Sequence, residues 1–520
     1  MRWRATCGRR ATTSSRSCAT EPCAGLDSPA SSDRRYLTSD SRIACADPAD
    51  KGVLVHLDGL LASLPAPLDI SAAEVAAARS RDLVLVVLDD DPTGTQSVAD
   101  LPVLTRWEAE DLDWALAQDA PAVYVLTNSR SLDEQQAAER NLEVVDVALA
   151  AAERAGKRVS FVSRGDSTLR GHFPLETDVL RDAIAARGEA PRLTMLIPAF
   201  PDAGRITVDS VHYWVVDGEA TPVGETAFAQ DATFGYRSSD LRDWVAEKTE
   251  GRIARDEVAA LTIDVIRAGT DAVASFLRGL APGTVVAVDV VDEHDMRQVA
   301  LALHALDREG IDALLRIGPP YVRAHIGQEI AAPVTAGDIA AQHERGGLVV
   351  VGSHVPLTTA QLEALRADRP GTATVELDVR SLIDDRREAH LTEQADAVAR
   401  AIASGTVIVH TSRELVTGRD GAESLEIARR VSAGLVELVA RVLELAPPRF
   451  VIAKGGITSS DVATEALRIR RARVVGPMLP GIVSLWQPQS GPAEGIPFVV
   501  FAGNVGDTDS LARVVRTLGD

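Results

Sequence analysis

Short, continuous apolar runs alternate with polar turns and amphipathic stretches along the chain. The clearest run, Leu83-Val-Leu-Val-Val-Leu88, stops abruptly at Asp89-Asp-Asp-Pro-Thr-Gly94. A Val and Leu run bounded by turn residues is the pattern of a strand buried on both faces, as in a parallel sheet. The unit recurs. Strands are predicted at 101–105, 122–126, 159–162 and 193–197, with helices at 107–118, 132–154 and 175–186, and an Ala-rich helical stretch at 67–79 precedes the first strand. Residues 206–345 are less regular, offering a strand at 208–216, a helix at 240–248 and a buried strand at 285–289 that ends in acid. A second series of strands follows at 348–353, 374–377, 407–410, 449–453 and 498–501, with helices at 360–366, 461–468 and 509–518. Strand, loop and helix in succession predict an α/β chain of two domains, each a mainly parallel sheet flanked by helices. Their bounds are read as 51–340 and 345–520, with the polar stretch 331–347 as linker.

In the first series every polar cluster follows a strand, hence lies on one edge of the sheet, where open α/β sheets bind ligands. That edge collects Asp89, Asp90 and Asp91, then Arg130, then Arg164, Asp166 and Arg170, then Asp202 and Arg205. Arginine forks match carboxylates and phosphates, whereas carboxylates suit sugar hydroxyls, a cation or removal of a hydroxyl proton. An edge holding both points to a small polyhydroxy acid; the plainer reading is an ion-pair network in which the arginines only neutralise the aspartates. In the second series, Lys454-Gly-Gly-Ile-Thr-Ser-Ser460 and Ala502-Gly-Asn-Val-Gly506 each follow a strand and precede a helix. Open backbone N–H groups at such turns are phosphate cradles, and Thr458, Ser459 or Ser460 is the expected cap of the helix after the first. No Walker A loop and no Gly-x-Gly-x-x-Gly occurs.

Composition narrows the partners. The 520 residues exceed one core, and 54 basic against 75 acidic residues give −21, which argues against nucleic acid and anionic membranes. No apolar run nears the roughly 18 residues of a membrane helix. All four cysteines, Cys7, Cys18, Cys23 and Cys45, precede the first predicted element, so the folded part uses no thiol chemistry, as in a reducing cytoplasm. Residues 1–50 are expected to be a disordered extension, and the rest to be cytoplasmic.

The ordered motifs Asp90-Asp-Pro-Thr-Gly94, Asp166-Ser-Thr-Leu-Arg-Gly171, Pro198-Ala-Phe-Pro-Asp-Ala-Gly-Arg205, Gly352-Ser353 with Pro356 and Thr358, Gly455-Gly-Ile-Thr-Ser459, Pro480-Gly481 and Gly503-Asn-Val-Gly506 resemble those of the four-carbon acid sugar kinase family. The likeness runs from about residue 80 to the end. It implies a sugar-acid-binding N-terminal domain, an ATP-binding C-terminal domain, an active site in the cleft between them, and phosphorylation of a hydroxyl of threonate, erythronate or 3-oxo-tetronate. The chain departs from the family pattern at Arg164-Gly165, Asn128, Ser97 and Val355. It also has Phe501-Ala-Gly503 where the family often has Lys-Ser-Gly, and Lys454 is the nearby cation that could replace that lysine.

By this resemblance Asp91 and Asp166 are the candidate catalytic carboxylates, and Asp90 is the candidate Mg²⁺ or orienting ligand. Asp90, Thr93, Arg130, Arg164, Arg170 and Arg205 face the sugar acid, with Arg130, Arg170 and Arg164 clamping its carboxylate. Gly352, Ser353, Gly455, Gly456, Ile457, Thr458 and Gly503 hold the nucleotide. ATP and Mg²⁺ are the expected cofactors, with no nucleic-acid or membrane partner, and a homodimer is compatible with the chain. Two alternatives stay open: a haloacid-dehalogenase-like phosphohydrolase using Asp89 of Asp89-x-Asp91-x-Thr93 as nucleophile, and a non-catalytic sugar-acid and nucleotide sensor.

Overall fold

The computed structural model describes residues 55–519 apart from 189, 340–343, 414–415, 417–418 and 420. The extension expected to be disordered, residues 1–50, lies outside the described residues. The first half of the chain carries β1 (Val55–His56), β2 (Leu83–Asp89), β3 (Pro102–Leu104), β4 (Ala122–Leu126), β5 (Arg158–Arg164), β6 (Leu193–Ile197), β7 (Arg205–Val208), β8 (Val211–Val216), β9 (Glu219–Pro222), β10 (Ala259–Leu261), β11 (Thr284–Val288) and β12 (Ala313–Ile317). The second half carries β13 (Leu348–Val351), β14 (Ala373–Leu377), β15 (Val407–Thr411), β16 (Val451–Lys454), β17 (Arg471–Leu479), β18 (Ile482–Pro488) and β19 (Phe498–Phe501).

Two parallel arrays are present as predicted, but they are not separate sheets. A single 15-stranded sheet runs β10-β11-β6-β12-β5-β2-β4-β3-β17-β18-β19-β16-β13-β15-β14, and β1, β9, β8 and β7 form a small second sheet. Within each array neighbours are parallel, and the arrays are joined by three antiparallel pairings, β3 with β17, β17 with β18, and β18 with β19. The β17–β18 hairpin is absent from the sequence reading because Gly476 and Pro477 interrupt its alternation, where the pairing register shifts. Residues 331–347 are likewise no free linker throughout, since Val334 is buried and its N–H donates to Pro477 O at 2.8 Å.

Three antiparallel steps reverse the strand direction between β2 and β16. Those strands lie six steps apart in the sheet, and a twist of about 20–25° per step turns the second array through about 120–150°. Reversal and twist together bring both carboxyl-terminal edges toward the same side.

The helices are built on apolar stripes as predicted. Helix Glu134–Ala155 buries Val144, Val145, Ala148 and Ala151 against one face of the first array, and helix Glu293–Asp307 buries Met296, Val299 and Leu303 on the other. One boundary differs usefully. The helix expected at 461–468 begins at Gly456, with Gly455 at φ +129° as its N-cap and a wide turn over Val462–Ala466 after it. Ser459 lies inside this helix and donates to Ala453 O at 2.7 Å instead of capping it.

The acidic turn is fastened to the bridge by a buried triad. Thr95 Oγ1 donates to Ser484 Oγ at 2.9 Å and accepts from Trp486 Nε1 at 2.9 Å. Thr95→Val keeps the volume and leaves the buried indole N–H of Trp486 unpaired, while Ser484 keeps its bond to Thr95 O at 3.3 Å, so urea denaturation should show a loss of about 1–3 kcal/mol. An unchanged midpoint would mean that the triad does not hold the arrays together.

Candidate active site

Asp89 and Arg164 are partners by register, since β2 and β5 pair in parallel with these two residues opposite one another at the carboxyl edge. Both are buried. Arg164 donates through Nε to Asp89, donates to the Asp91 carbonyl, and lies 3.3 Å from Asp90 and 4.0 Å from Asp91. A side chain at Gly94 would collide with Asp89 and Arg164, so the turn closes over the pair only with glycine there. Arg130 follows β4, where Asn128 takes a left-handed φ of 52°. Its fork binds Asp90 through Nε at 3.0 Å and Nη2 at 2.6 Å, and its Nη1 lies 3.6 Å from Asp91 Oδ2.

These contacts set Arg130 and Arg164 among the three aspartates as counter-ions. Both guanidiniums are engaged by the three aspartates, so neither has a fork free to clamp a carboxylate. Asp90 belongs to the same network. Both of its oxygens accept from Arg130, so it does not fit as a direct Mg²⁺ ligand. Asp91 is different. It caps the Pro92–Ser97 turn by accepting from Thr93 N at 2.8 Å and from the Thr93 hydroxyl, which occupies Oδ1, and its side chain stays 20% exposed. Among the described residues the nearest cation to Oδ2 is Arg130 Nη1, at 3.6 Å.

The charges separate the three acids. Burial, with Asp90 and Asp91 alongside, pushes Asp89 up to about 7 despite Arg164. Burial also raises Asp91, but Arg130, Arg164 and the Thr93 bonds more than offset it and hold the carboxyl below its usual range. Asp89 as a phosphatase nucleophile is disfavoured, being buried and paired with Arg164.

Asp166, after β5, accepts from the Thr168 hydroxyl and from Arg170 Nε at 2.7 Å. Burial opposes its charge, but Arg130, Arg170 and Thr168 outweigh that and hold it well below the carboxylate range. Arg170 also lies 3.7 Å from Asp231. Arg205 is the exception among the edge arginines. Its Nη1 donates to Ala203 O, its guanidinium lies 5.9 Å from the Trp214 and Phe228 ring centroids, its buried Nε has no hydrogen-bond partner, and among the described residues no carboxylate pairs with it. Burial, with Arg170 nearby, lowers its pKa. A desolvated cation with an open fork is an anion site.

Several contributors were not picked out from sequence. Glu176 accepts from Ser129 Oγ at 2.5 Å, from Ser163 Oγ at 3.0 Å and from Arg316, and so ties the turn after β4 to the ends of β5 and β12. Its place on a helix hid it. Asp231 and Phe228 come from the irregular region 206–345, where no periodicity marked them, and Trp214 from the strand expected at 208–216.

The glycine turns of the second array converge. A Cβ on Gly352 would strike the Thr458 hydroxyl, one on Gly455 would lie 3.2 Å from Ser353 Cβ, and one on Gly503 would lie 2.7 Å from Ser353 Oγ. Thr358 Oγ1 donates to Gly503 O at 2.8 Å, locking the third turn. Gly352, Ser353, Gly455, Thr458 and Gly503 therefore form one cluster, while Ile457 stands 66% exposed beside it. The two edges meet at this cluster, because a Cβ on Gly456 would lie 3.4 Å from Asp91 Oδ2. A Cβ on Gly481, in the intermediate turn, would lie 3.0 Å from Asp202 Cβ.

Known proteins share this plan. Residues 85–325 match the family model of a sugar-binding N-terminal domain, and residues 348–511 match that of a nucleotide-binding C-terminal domain. A D-threonate kinase of Bordetella bronchiseptica is 29% identical over 83% of this chain and 96% of its own length. A D-erythronate kinase of Heliobacterium modesticaldum is 25% identical over 84% and 97%. A 3-oxo-isoapionate kinase of Paraburkholderia graminis is 30% identical over 53% and 60%. A solved structure from Salmonella typhimurium LT2 superposes with a TM-score of 0.62 at 19% identity over 83% of this chain and 98% of its own, a likeness of fold. Among the described residues no helix is long and apolar enough to cross a membrane.

Asp166 offers a pH test. Its folded pKa is depressed, so its contribution to stability is complete above the unfolded value of about 4 and is lost as the pH falls through the folded value. In denaturation series, the gap between wild type and Asp166→Asn should be constant from pH 7 to 5 and narrow only below about pH 4. A gap that closes between pH 7 and 5 would contradict this electrostatic assignment.

Proposed function

Because the chain belongs to the four-carbon acid sugar kinase family, we propose that it transfers the γ-phosphoryl group of ATP to a hydroxyl of a four-carbon sugar acid of the threonate, erythronate or 3-oxo-tetronate type. The observation that carries the reading is the approach of Asp91 Oδ2 to Gly456. It sets an acidic-turn oxygen, held among the described residues only by the 3.6 Å contact to Arg130 Nη1, against the glycine cluster.

The sugar acid would lie along the carboxyl edge of the first array, its carboxylate on the open fork of Arg205 with Arg170 beside it. Asp166, held as an anion by Arg170, would accept from a sugar hydroxyl. Asp91 would accept the proton of the attacking hydroxyl as its oxygen bonds to the γ-phosphorus and the bond to the β,γ-bridging oxygen breaks, releasing ADP. A low pKa suits this role, because phosphoryl transfer depends more on positioning and charge than on a strong base. Gly352, Ser353, Gly455, Gly456, Thr458 and Gly503 would let the phosphates approach the backbone closely, and Ile457 would offer an apolar surface beside them. Mg²⁺ bound with the triphosphate, and facing Asp91 through water, would screen the phosphate charge.

ADP formation with Mg²⁺ and ATP should be stimulated by a four-carbon acid. Asp91→Asn should lower kcat by about 10²–10⁴-fold with the fold intact. Arg205→Met should raise the KM for the acid about 10–100-fold, the worth of a charged hydrogen bond, and leave the KM for ATP unchanged. A wild-type chain whose ATP turnover responds to no four-carbon acid would overturn the proposal.

A further inference from the structure

Lys454 closes β16 with its ammonium inside the protein. The residue is fully buried. Its Nζ donates to Ala502 O at 2.5 Å and stands 3.9 Å from the Phe501 ring centroid, and among the described residues no carboxylate pairs with it. An ammonium has three donors, so a single carbonyl and a ring face leave it under-satisfied. Burying such a charge without a counter-ion costs several kcal/mol unless an anion comes near. Desolvation accordingly lowers its pKa to about 7.

The position explains what that anion is. Gly352 N donates to Lys454 O at 3.3 Å, Gly455 follows it directly and its N–H donates to Phe501 O at 2.8 Å, and the ammonium grips the carbonyl just before Gly503. All three glycine turns are therefore anchored within one residue of this side chain. Lys454 and Phe501 are also opposite one another in the parallel pairing of β16 and β19. A lysine at either position starts from the same level of the sheet and reaches the same turns.

We infer that Lys454 is the positioning cation of the nucleotide site, holding the three glycine turns in register and supplying from beneath them the positive charge that the phosphates of a bound nucleotide require. The inference rests on the kinase reading and deepens it. The charge that the family pattern places at position 501 is carried here by the neighbouring strand, so Phe501 is no sign of a lost site.

The test compares phosphate-bearing and phosphate-free probes. In calorimetric titration, Lys454→Met should weaken ATP and ADP binding about tenfold or more, while adenosine affinity stays within about twofold. Adding Phe501→Lys to Lys454→Met should restore most of the ATP affinity, which a merely structural lysine would not allow. Should Lys454→Met fail to fold, Lys454→Gln, which can still donate to Ala502 O but lacks the charge, serves in its place. ATP affinity unchanged in the folded variant, or ATP and adenosine weakened alike, overturns the inference and leaves the kinase reading standing. A wild-type chain that binds no ATP overturns both.

Discussion

Mutual repulsion among Asp89, Asp90 and Asp91 is the constraint to which the rest of the structure answers. Two carboxylates about 4 Å apart repel by about 4 kcal/mol at the effective dielectric of a protein surface, and more in a dry interior. A domain's whole stability is about 5–15 kcal/mol. The fold meets that repulsion with two buried forks, Arg164 delivered by register from β5 and Arg130 from the turn after β4. Both forks are taken up by this triad, Arg130 by Asp90 and Arg164 by Asp89. Asp91, which caps Pro92–Ser97, keeps part of its side chain exposed.

That exposure matters because of what the bridge hairpin does. β17 and β18 convert two parallel arrays into one sheet, reverse the strand sense and add twist. The carboxyl edges of the two arrays come to one side, where Thr95 fastens the acidic turn to β18. Asp91 then meets Gly456. The buried ammonium of Lys454 and the open fork of Arg205 sit on opposite sides of this contact in chain terms, one serving the glycine turns and the other the edge of the first array.

Much of this was legible from the chain. Apolar runs stopped by polar turns located nearly all strands of both arrays, and the carboxyl-edge rule gathered the acids and arginines that the structure indeed brings together. Which arginine pairs with which acid was not legible, since partnership depends on register across strands far apart in sequence. In the structure Arg130 and Arg164 pair with the aspartates, and Arg205, the last of the series, pairs with no carboxylate among the described residues. The β17–β18 bridge escaped because Gly476 and Pro477 break its period, and Asp231 because residues 206–345 show no repeat. The helix after Gly455 starts five residues early because a glycine at φ +129° turns the chain straight into it, where a polar cap further on was expected.

The account stands or falls on whether donor and acceptor meet at Asp91. The most direct measurement is a crystal structure of the chain with Mg²⁺, a non-hydrolysable ATP analogue and threonate or erythronate. The prediction is a terminal phosphate beside Gly456, with a sugar hydroxyl oxygen about 3–3.5 Å from its phosphorus and hydrogen-bonded to Asp91, and the acid's carboxylate on Arg205. A triphosphate seated away from the Gly352, Gly455 and Gly503 turns, or a sugar acid whose hydroxyls do not reach Asp91, would contradict it.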